Sequence, residues 1–310
     1  MRDFINISDF TADELAGILR IARELRDQRD AGQANDPILA GQTLAMFFEK
    51  PSLRTRVSFE QGMYELGGRA IVLGQDEVGL GKRESVADFA RVITGMVQGI
   101  AARVYDHANL DEIARYADVP VINMLSDRSH PAQALADVMT IQDEFGQDIV
   151  GRTVVFVGDG NNCALSLAWL CAKLGAKFIQ AGPLGYQLTD DDIQKITTAC
   201  PGASVEVTAN ASTAVADADA IYCDTFVSMG QEKEKAERLK TFADYRVTGE
   251  LVDRSPDHSI ILHCLPAYRG VEITDEVMDG PRSRVFPQAH NRLHAQKGML
   301  AAIMGGKTIG

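Results

Sequence analysis

Strand and helix signals alternate along this chain, break at a turn bounded by glycines, and then alternate again. "TLAMFFE" (43–49), "AIVLG" (70–74), "GIAARVY" (99–105) and "VPVINML" (119–125) read as buried strands. Helical patterns over about Leu53–Leu66, Val86–Met96 and Leu110–Tyr116 separate them, and Thr11 with Glu14 forms a capping box ahead of a helix over Ala12–Arg29. Short apolar strands spaced by helices demand parallel pairing with helices on both faces. After a long helix in "DRSHPAQALADVMTIQDEFGQ" (127–147) the pattern restarts with "RTVVFVGDG", helix "ALSLAWLCAKLG" and strand "AKFIQAG". A helix over about 190–198, strand "SVEVTA", helix "ASTAVADA" and strands "AIYCDTF" and "SIILHCLP" complete the second half. The expected fold is α/β, with two doubly wound parallel-sheet domains and a site in the cleft between them. The boundary is expected near Gly146–Gly151, giving domains 1–147 and 148–287. A terminal helix over about Asn291–Met304, in the segment 288–310, is expected to pack back on the first domain.

Doubly wound sheets bind ligands outside the carboxyl ends of their strands. The polar motifs gather at those ends. "SLRTR" follows the first strand, Arg103 ends the third and "DRSHPAQ" follows the fourth, while "GDGNN", "CDTFVSMG" and "HCLPAYRG" hold the equivalent places in the second half.

Composition removes several classes of function. A net charge of −12 over 310 residues argues against nucleic acid as the main partner, because phosphate-backbone binders need a basic face. The five cysteines, at 163, 171, 200, 223 and 264, make no CxxC pair and read as reduced thiols. No apolar signal core opens the sequence and no apolar run is long enough to span a bilayer, so a soluble cytoplasmic protein without a membrane partner is expected. No metal is expected, since no second His or Cys stands at ligand spacing from His130.

Within "FEKPSLRTR", Ser52 can cap the helix that follows, and the positive end of that helix then faces outward. Arg54 adds a guanidinium fork and Thr55 a hydroxyl, which together make an anion site. Three charge-assisted hydrogen bonds of about 1.5–3 kcal/mol each match a micromolar anion, about −8 kcal/mol. In "HPAQ", Pro131 opens a helix that sets His130 and Gln133 on one face, where an imidazole and a carboxamide suit a polarised carbonyl and its amide. "GDGNNC" fails the dinucleotide fingerprint, because Cys163 stands at the third glycine and no acid ends the next strand. Asn161 and Asn162 at that helix start are candidates to hold a carboxylate. Asp224, ending a strand in "DTFVSMG", suits a substrate ammonium, and "QEKEKAERLK" beyond it reads as a solvated helix. His263 and Cys264 are neighbours on a strand and point to opposite faces, which removes a Cys–His nucleophile pair. The Leu265–Pro266 peptide is a candidate cis bond.

Taken together, "FEKPSLRTRVSFE", "DRSHPAQALAD", "GDGNN", "DTFVSMG", "HCLPAYRG" and "QAHNRLHAQK" resemble the ornithine carbamoyltransferases, in order and over nearly the whole chain. The resemblance implies a carbamoyl-phosphate domain, an ornithine domain, and terminal helices that return to the first. It implies a homotrimer or an assembly of trimers, with carbamoyl phosphate and L-ornithine as small-molecule partners and no metal or organic cofactor. On this resemblance Ser52, Leu53, Arg54 and Thr55 hold the phosphate; Arg103, His130 and Gln133 hold the carbamoyl end; and Arg292 completes that pocket. Asn162, Asp224, Ser228 and Met229 hold the amino-acid end of ornithine, with Cys264 and the Leu265 carbonyl beside the reacting amine. Cys264, Arg103 and His130 are the catalytic candidates. The implied reaction gives citrulline and phosphate, in arginine metabolism, with arginine biosynthesis and the catabolic direction both open.

The sequence departs from the family pattern in three places. Leu53 replaces the threonine of the commoner STRT, Ala132 stands where cysteine is frequent, and Gly79 stands where relatives offer a polar side chain to a neighbouring subunit. A hydrophobic residue at the Leu53 position also occurs in relatives acting on N-acylated ornithine. The competing readings are therefore a carbamoyltransferase for N-acylated ornithine, putrescine or aspartate, and a non-catalytic carbamoyl-phosphate-binding protein.

Overall fold

The computed structural model describes residues 2–228 and 230–309. The chain divides into two compact units, the first running to Ala136 and resuming at Asn291, the second spanning Asp137–His290.

In the first unit α1 (Ala12–Asp30) is opened by Thr11, whose hydroxyl accepts from the Glu14 N–H while the Glu14 carboxylate accepts from the Thr11 N–H. Then follow β1 (Thr43–Phe48), α2 (Leu53–Glu65), β2 (Arg69–Gly74), α3 (Val86–Thr94), β3 (Gly99–Arg103), α4 (His107–Tyr116), β4 (Val121–Leu125) and α5 (Pro131–Phe145). The four strands lie in the order β2-β1-β3-β4, all parallel. The order reverses between β1 and β3, so the loops after these two strands diverge and leave a crevice at their carboxyl ends. The Phe47 ring on β1 and the Phe89 ring on α3 pack at 5.5 Å, tilted by 52°, in a core shared with Ile100 and Val121.

The second unit contains β5 (Thr153–Val157), α6 (Asn162–Lys173), β6 (Lys177–Ala181), α7 (Asp190–Ala199), β7 (Val205–Thr208), β8 (Ala220–Cys223), α8 (Lys235–Thr241) and β9 (Ile260–His263). Its order is β7-β6-β5-β8-β9, again parallel throughout, with the reversal between β5 and β8. The last helix, α9 (Val285–Ile303), begins in the second unit and ends in the first.

The compact units meet at Ala136/Asp137, within α5. Two local differences from the sequence reading have physical causes. The terminal helix starts at Val285 rather than near Asn291, because Pro287 falls in its first turn, where a missing N–H costs no helical hydrogen bond. "ASTAVADA" is one α-turn over Ala211–Ala214 closed by a 3-10 turn over Val215–Asp217.

Two glycines explain close approaches. A Cβ at Gly298 of α9 would lie 2.6 Å from the Ile18 carbonyl oxygen on α1, so only glycine lets these helices touch. In "GDGNN", a Cβ at Gly160 would lie 2.4 Å from the Leu188 nitrogen. The glycine there serves chain packing, which is why the stretch imitates a dinucleotide motif without being one.

Candidate active site

The first half-site stands at the carboxyl ends of β1 and β3. Ser52 takes the N-cap position of α2 with extended backbone, φ −147° and ψ 109°. Its hydroxyl does not close on the helix as the sequence reading expects; it donates to Thr55 Oγ1 at 3.1 Å. The pair is thereby turned to one another while the first-turn N–H groups keep the outward dipole end that an anion seeks. The Leu53 side chain is 74% exposed and faces solvent. The hydroxyl that its threonine counterpart carries would therefore point to solvent. Arg54 is half-buried beside it.

Three further elements converge on Thr55. Arg292, buried on α9, donates from Nη2 to Thr55 Oγ1 at 3.0 Å and from Nη1 to Gln133 Oε1 at 2.6 Å. Gln133 and His130 are buried at the start of α5, where the Gln133 N–H donates to the His130 carbonyl. Burial, then the positive charges of Arg292 and Arg103, hold the His130 pKa well below the usual imidazole range. His130 is neutral at physiological pH, able to donate one hydrogen bond without carrying charge. Arg103 ends β3 at a register shift against β4, a bulge that re-aims a strand-end side chain. Ser52, Thr55, Gln133 and Arg292 form one hydrogen-bonded chain in this unit, and His130 feels the charges of Arg292 and Arg103.

The second half-site is acidic. Asp224, just past β8, accepts from Asn161 Nδ2 at 2.8 Å and from the Cys264 thiol at 2.9 Å. Asn161 is the N-cap of α6: its Oδ1 accepts from the N–H groups of Cys163 and Ala164 while its Nδ2 also reaches Ser228 Oγ at 3.4 Å. Asn162, the residue named from the resemblance, is the first residue of α6, and its Oδ1 accepts from the Cys163 N–H. Ser228 is held through its own N–H by Gln231 Oε1 at 2.9 Å. Met229 lies outside the described residues.

Cys264 follows β9 on a turn built by its neighbours. Leu265 has φ 57°, an uncommon conformation for leucine, and the Leu265–Pro266 peptide is cis. The Leu265 N–H donates to His263 Nδ1 at 2.8 Å, and His263 Nε2 faces Glu272 Oε1 at 3.2 Å in a fully buried pair. Burial disfavours the charged imidazole, but hydrogen bonds with Cys264 and Glu272 outweigh it and raise the His263 pKa to about 10, so the ring is in contact with the Cys264 thiol as well as with the turn, contrary to the opposite-face reading. A hydrogen bond with Cys163, burial and the negative charge of Asp224 push the Cys264 thiol well up. It acts as a neutral thiol beside a carboxylate, not as a thiolate nucleophile.

Cys163, Asp224 and Cys264 bring their side-chain ligand atoms within 4.8 Å of one another. Two thiols and a carboxylate have the donor chemistry for a borderline divalent cation. Its members come from three segments, so no sequence spacing joins them, and both thiols are held in the protonated form that a metal does not take. All five cysteines are free thiols. The segment after Asp224 also differs from its reading: Arg238 on α8 is buried, paired with the Asp159 carboxylate, and donates from Nε to the Phe226 carbonyl at 2.6 Å. It fixes the loop that carries Ser228. Local spacing pairs Arg238 with Glu234, at 3.7 Å, and gives no sign of Asp159, which stands in "GDGNN".

Comparison with known proteins places both halves. Residues 2–143 match the aspartate/ornithine carbamoyltransferase carbamoyl-P binding domain, and residues 150–303 match the Asp/Orn binding domain of the same family. The chain is 48% identical over 307 residues to the ornithine carbamoyltransferase of Thermococcus kodakarensis, covering 98% of this chain and 97% of that one. It is equally 48% identical over 307 residues to the anabolic ornithine carbamoyltransferase of Pyrococcus furiosus, again at 98% and 97%. The solved structure of ornithine carbamoyltransferase from Pyrococcus furiosus superposes with a TM-score of 0.95 at 47% identity, covering 99% of this chain and 98% of that one.

Proposed function

Because the chain belongs to the aspartate/ornithine carbamoyltransferase family, we propose that its two half-sites carry out the ornithine reaction, carbamoyl phosphate plus L-ornithine giving L-citrulline and phosphate. The observation that carries the substrate assignment is the Asp224 carboxylate. Joined to Asn161 and a neutral Cys264 thiol, it offers a negative, hydrogen-bonding pocket for an ammonium-bearing amino acid. Aspartate would call for cations there instead.

The chemistry follows from the residues. The helix start at Ser52–Thr55 with Arg54 and Arg292 grips the phosphate and takes up its charge as it leaves. Neutral His130, Gln133 and Arg103 hold the carbamoyl group, with His130 and Arg103 donating to the oxygen that becomes negative. The side-chain amine of ornithine attacks the carbamoyl carbon, the carbon–oxygen bond to phosphate breaks, and the proton that the amine loses ends on the departing phosphate. With a pKa near 10.4, about a thousandth of that amine is neutral near pH 7.4, so its partly desolvated place beside Cys264 and Leu265 favours the reactive form. Orientation and placed donors supply the rate.

The anabolic label of the Pyrococcus furiosus relative supports a role in arginine biosynthesis. No helix among the described residues is long and apolar enough to cross a membrane, which is consistent with action in the cytoplasm. A homotrimer or a multiple of trimers is the assembly we assign, to be read by light scattering. The function is tested by citrulline formation from carbamoyl phosphate with a panel of acceptors. Turnover with L-ornithine is expected. Turnover only with N-acetylornithine or putrescine would move the assignment within the family, and binding without turnover would leave a sensor of carbamoyl phosphate.

A further inference from the structure

Gln288, near the start of α9, is fully buried and makes two directional hydrogen bonds. Its Nε2 donates to Asp137 Oδ1 at 2.6 Å, and its Oε1 accepts from the His263 N–H at 2.8 Å. Only one orientation of the carboxamide satisfies a carboxylate on one side and an N–H on the other. Asp137 is the residue at which the chain enters the second unit, and Gln288 stands just before it leaves at His290. His263 in turn receives the Leu265 N–H at 2.8 Å. One carboxamide therefore ties both ends of the unit to the turn that presents Cys264 and Leu265.

We propose that Gln288 is a positioning residue for the carbamoyl transfer, registering the Cys264–Leu265 turn against Asp137 through the His263 backbone. The inference rests on the ornithine reading above. Around this carboxamide, Asp137 from α5 is the charge in hydrogen-bond contact. Tyr222 on β8 and Cys163 and Cys171 on α6 are electrostatically coupled to Asp137, and burial first of all keeps Tyr222 and Cys171 uncharged. His263 brings Glu272 as its own partner, and Arg284, just before α9, is engaged by Glu144.

The test uses two variants of the full-length protein. Gln288→Leu leaves the Asp137 carboxylate and the His263 N–H without this partner, and buried groups stripped of a partner correspond to a loss of about 10- to 100-fold in kcat. KM for carbamoyl phosphate should stay within about twofold. Gln288→Glu sets two carboxyl groups against each other, and such a pair holds one proton with a raised pKa. When it holds that proton, Glu donates to Asp137 and accepts from His263, which reproduces the native pattern. The activity of Gln288→Glu relative to the parent is therefore expected to recover as pH falls from about 8.5 to about 6, while Gln288→Leu stays low at every pH. Alkylation of Cys264 by iodoacetamide, followed by peptide mass, reads the same turn without substrate and should change in parallel. A Gln288→Leu enzyme within about threefold of the parent, or Gln288→Glu showing no recovery at low pH, overturns the proposal. A parent that makes no citrulline strikes the substrate assignment instead, and the alkylation rates then decide the positioning role alone.

Discussion

Replacing Arg292 by methionine keeps most of the buried volume and removes a charge from the centre of the first half-site. The guanidinium is buried and bridges Thr55 and Gln133 at 3.0 and 2.6 Å. A unit charge about 5 Å from a phosphate contributes about 3 kcal/mol at an effective dielectric of about 20. Desolvation of the cation offsets part of this, so carbamoyl phosphate should bind about 10- to 100-fold more weakly. Folding should suffer separately, by about 1–3 kcal/mol, because Gln133 Oε1 and Thr55 lose a buried donor. The substitution also removes one of the two cations that hold His130 in its neutral form, so the His130 pKa should move back toward the ordinary range. Calorimetric titration with fresh carbamoyl phosphate, alongside urea unfolding, separates the two effects. A folded Arg292→Met protein that binds carbamoyl phosphate within twofold of the parent would refute the assignment of this pocket.

Other outcomes follow from the same geometry. Asp224→Asn should raise KM for ornithine at least about tenfold, because a charge-assisted contact to a cation is removed, while carbamoyl phosphate binding holds; steady-state kinetics on both substrates checks the split. The kcat/KM for ornithine should rise between about pH 6.5 and 8.5 as the amine deprotonates, without an added inflection from His130, whose pKa is held below this window. His294 on α9 is pushed down to about 4 by burial, then by the charges of Lys297 and Arg26. Its folded pKa lies below the unfolded value near 6.5, so the unfolded chain binds more protons between them and stability is lost as pH falls. The expected loss from this group is about 2 kcal/mol between pH 7 and 5, which urea unfolding should detect and His294→Asn should reduce.

The strands and the motifs at their ends were legible because buried parallel strands are apolar throughout and the chemistry must follow them. Ser52, Thr55, Arg103, His130 and Asp224 all stand where a doubly wound sheet exposes its carboxyl ends, a placement that periodicity alone supplies. What stayed hidden depends on contacts between distant segments. The Ser52 hydroxyl donates to Thr55 Oγ1 and makes no cap bond to its own helix. Arg238 reads as one more cation in a charged run until Asp159 arrives beside it. Cys163 looked like a failed glycine, and only the fold brings it to Cys264 and Asp224. Gln288 carries no local pattern, since it acts on the His263 N–H, 25 residues earlier in the chain. The start of α9 was misread for a different reason, the ambiguity of proline between a helix break and a first-turn residue.

The account turns on which groups receive the two substrates. A crystal structure with a bisubstrate analogue, a phosphonate joined to ornithine through its side-chain nitrogen, tests this most directly. The phosphonate should lie on the Ser52–Thr55 helix start within hydrogen-bond reach of Arg54 and Arg292, with the ornithine moiety at Asp224 and the linking nitrogen beside Cys264. A phosphonate bound elsewhere, with that helix start vacant, would contradict it.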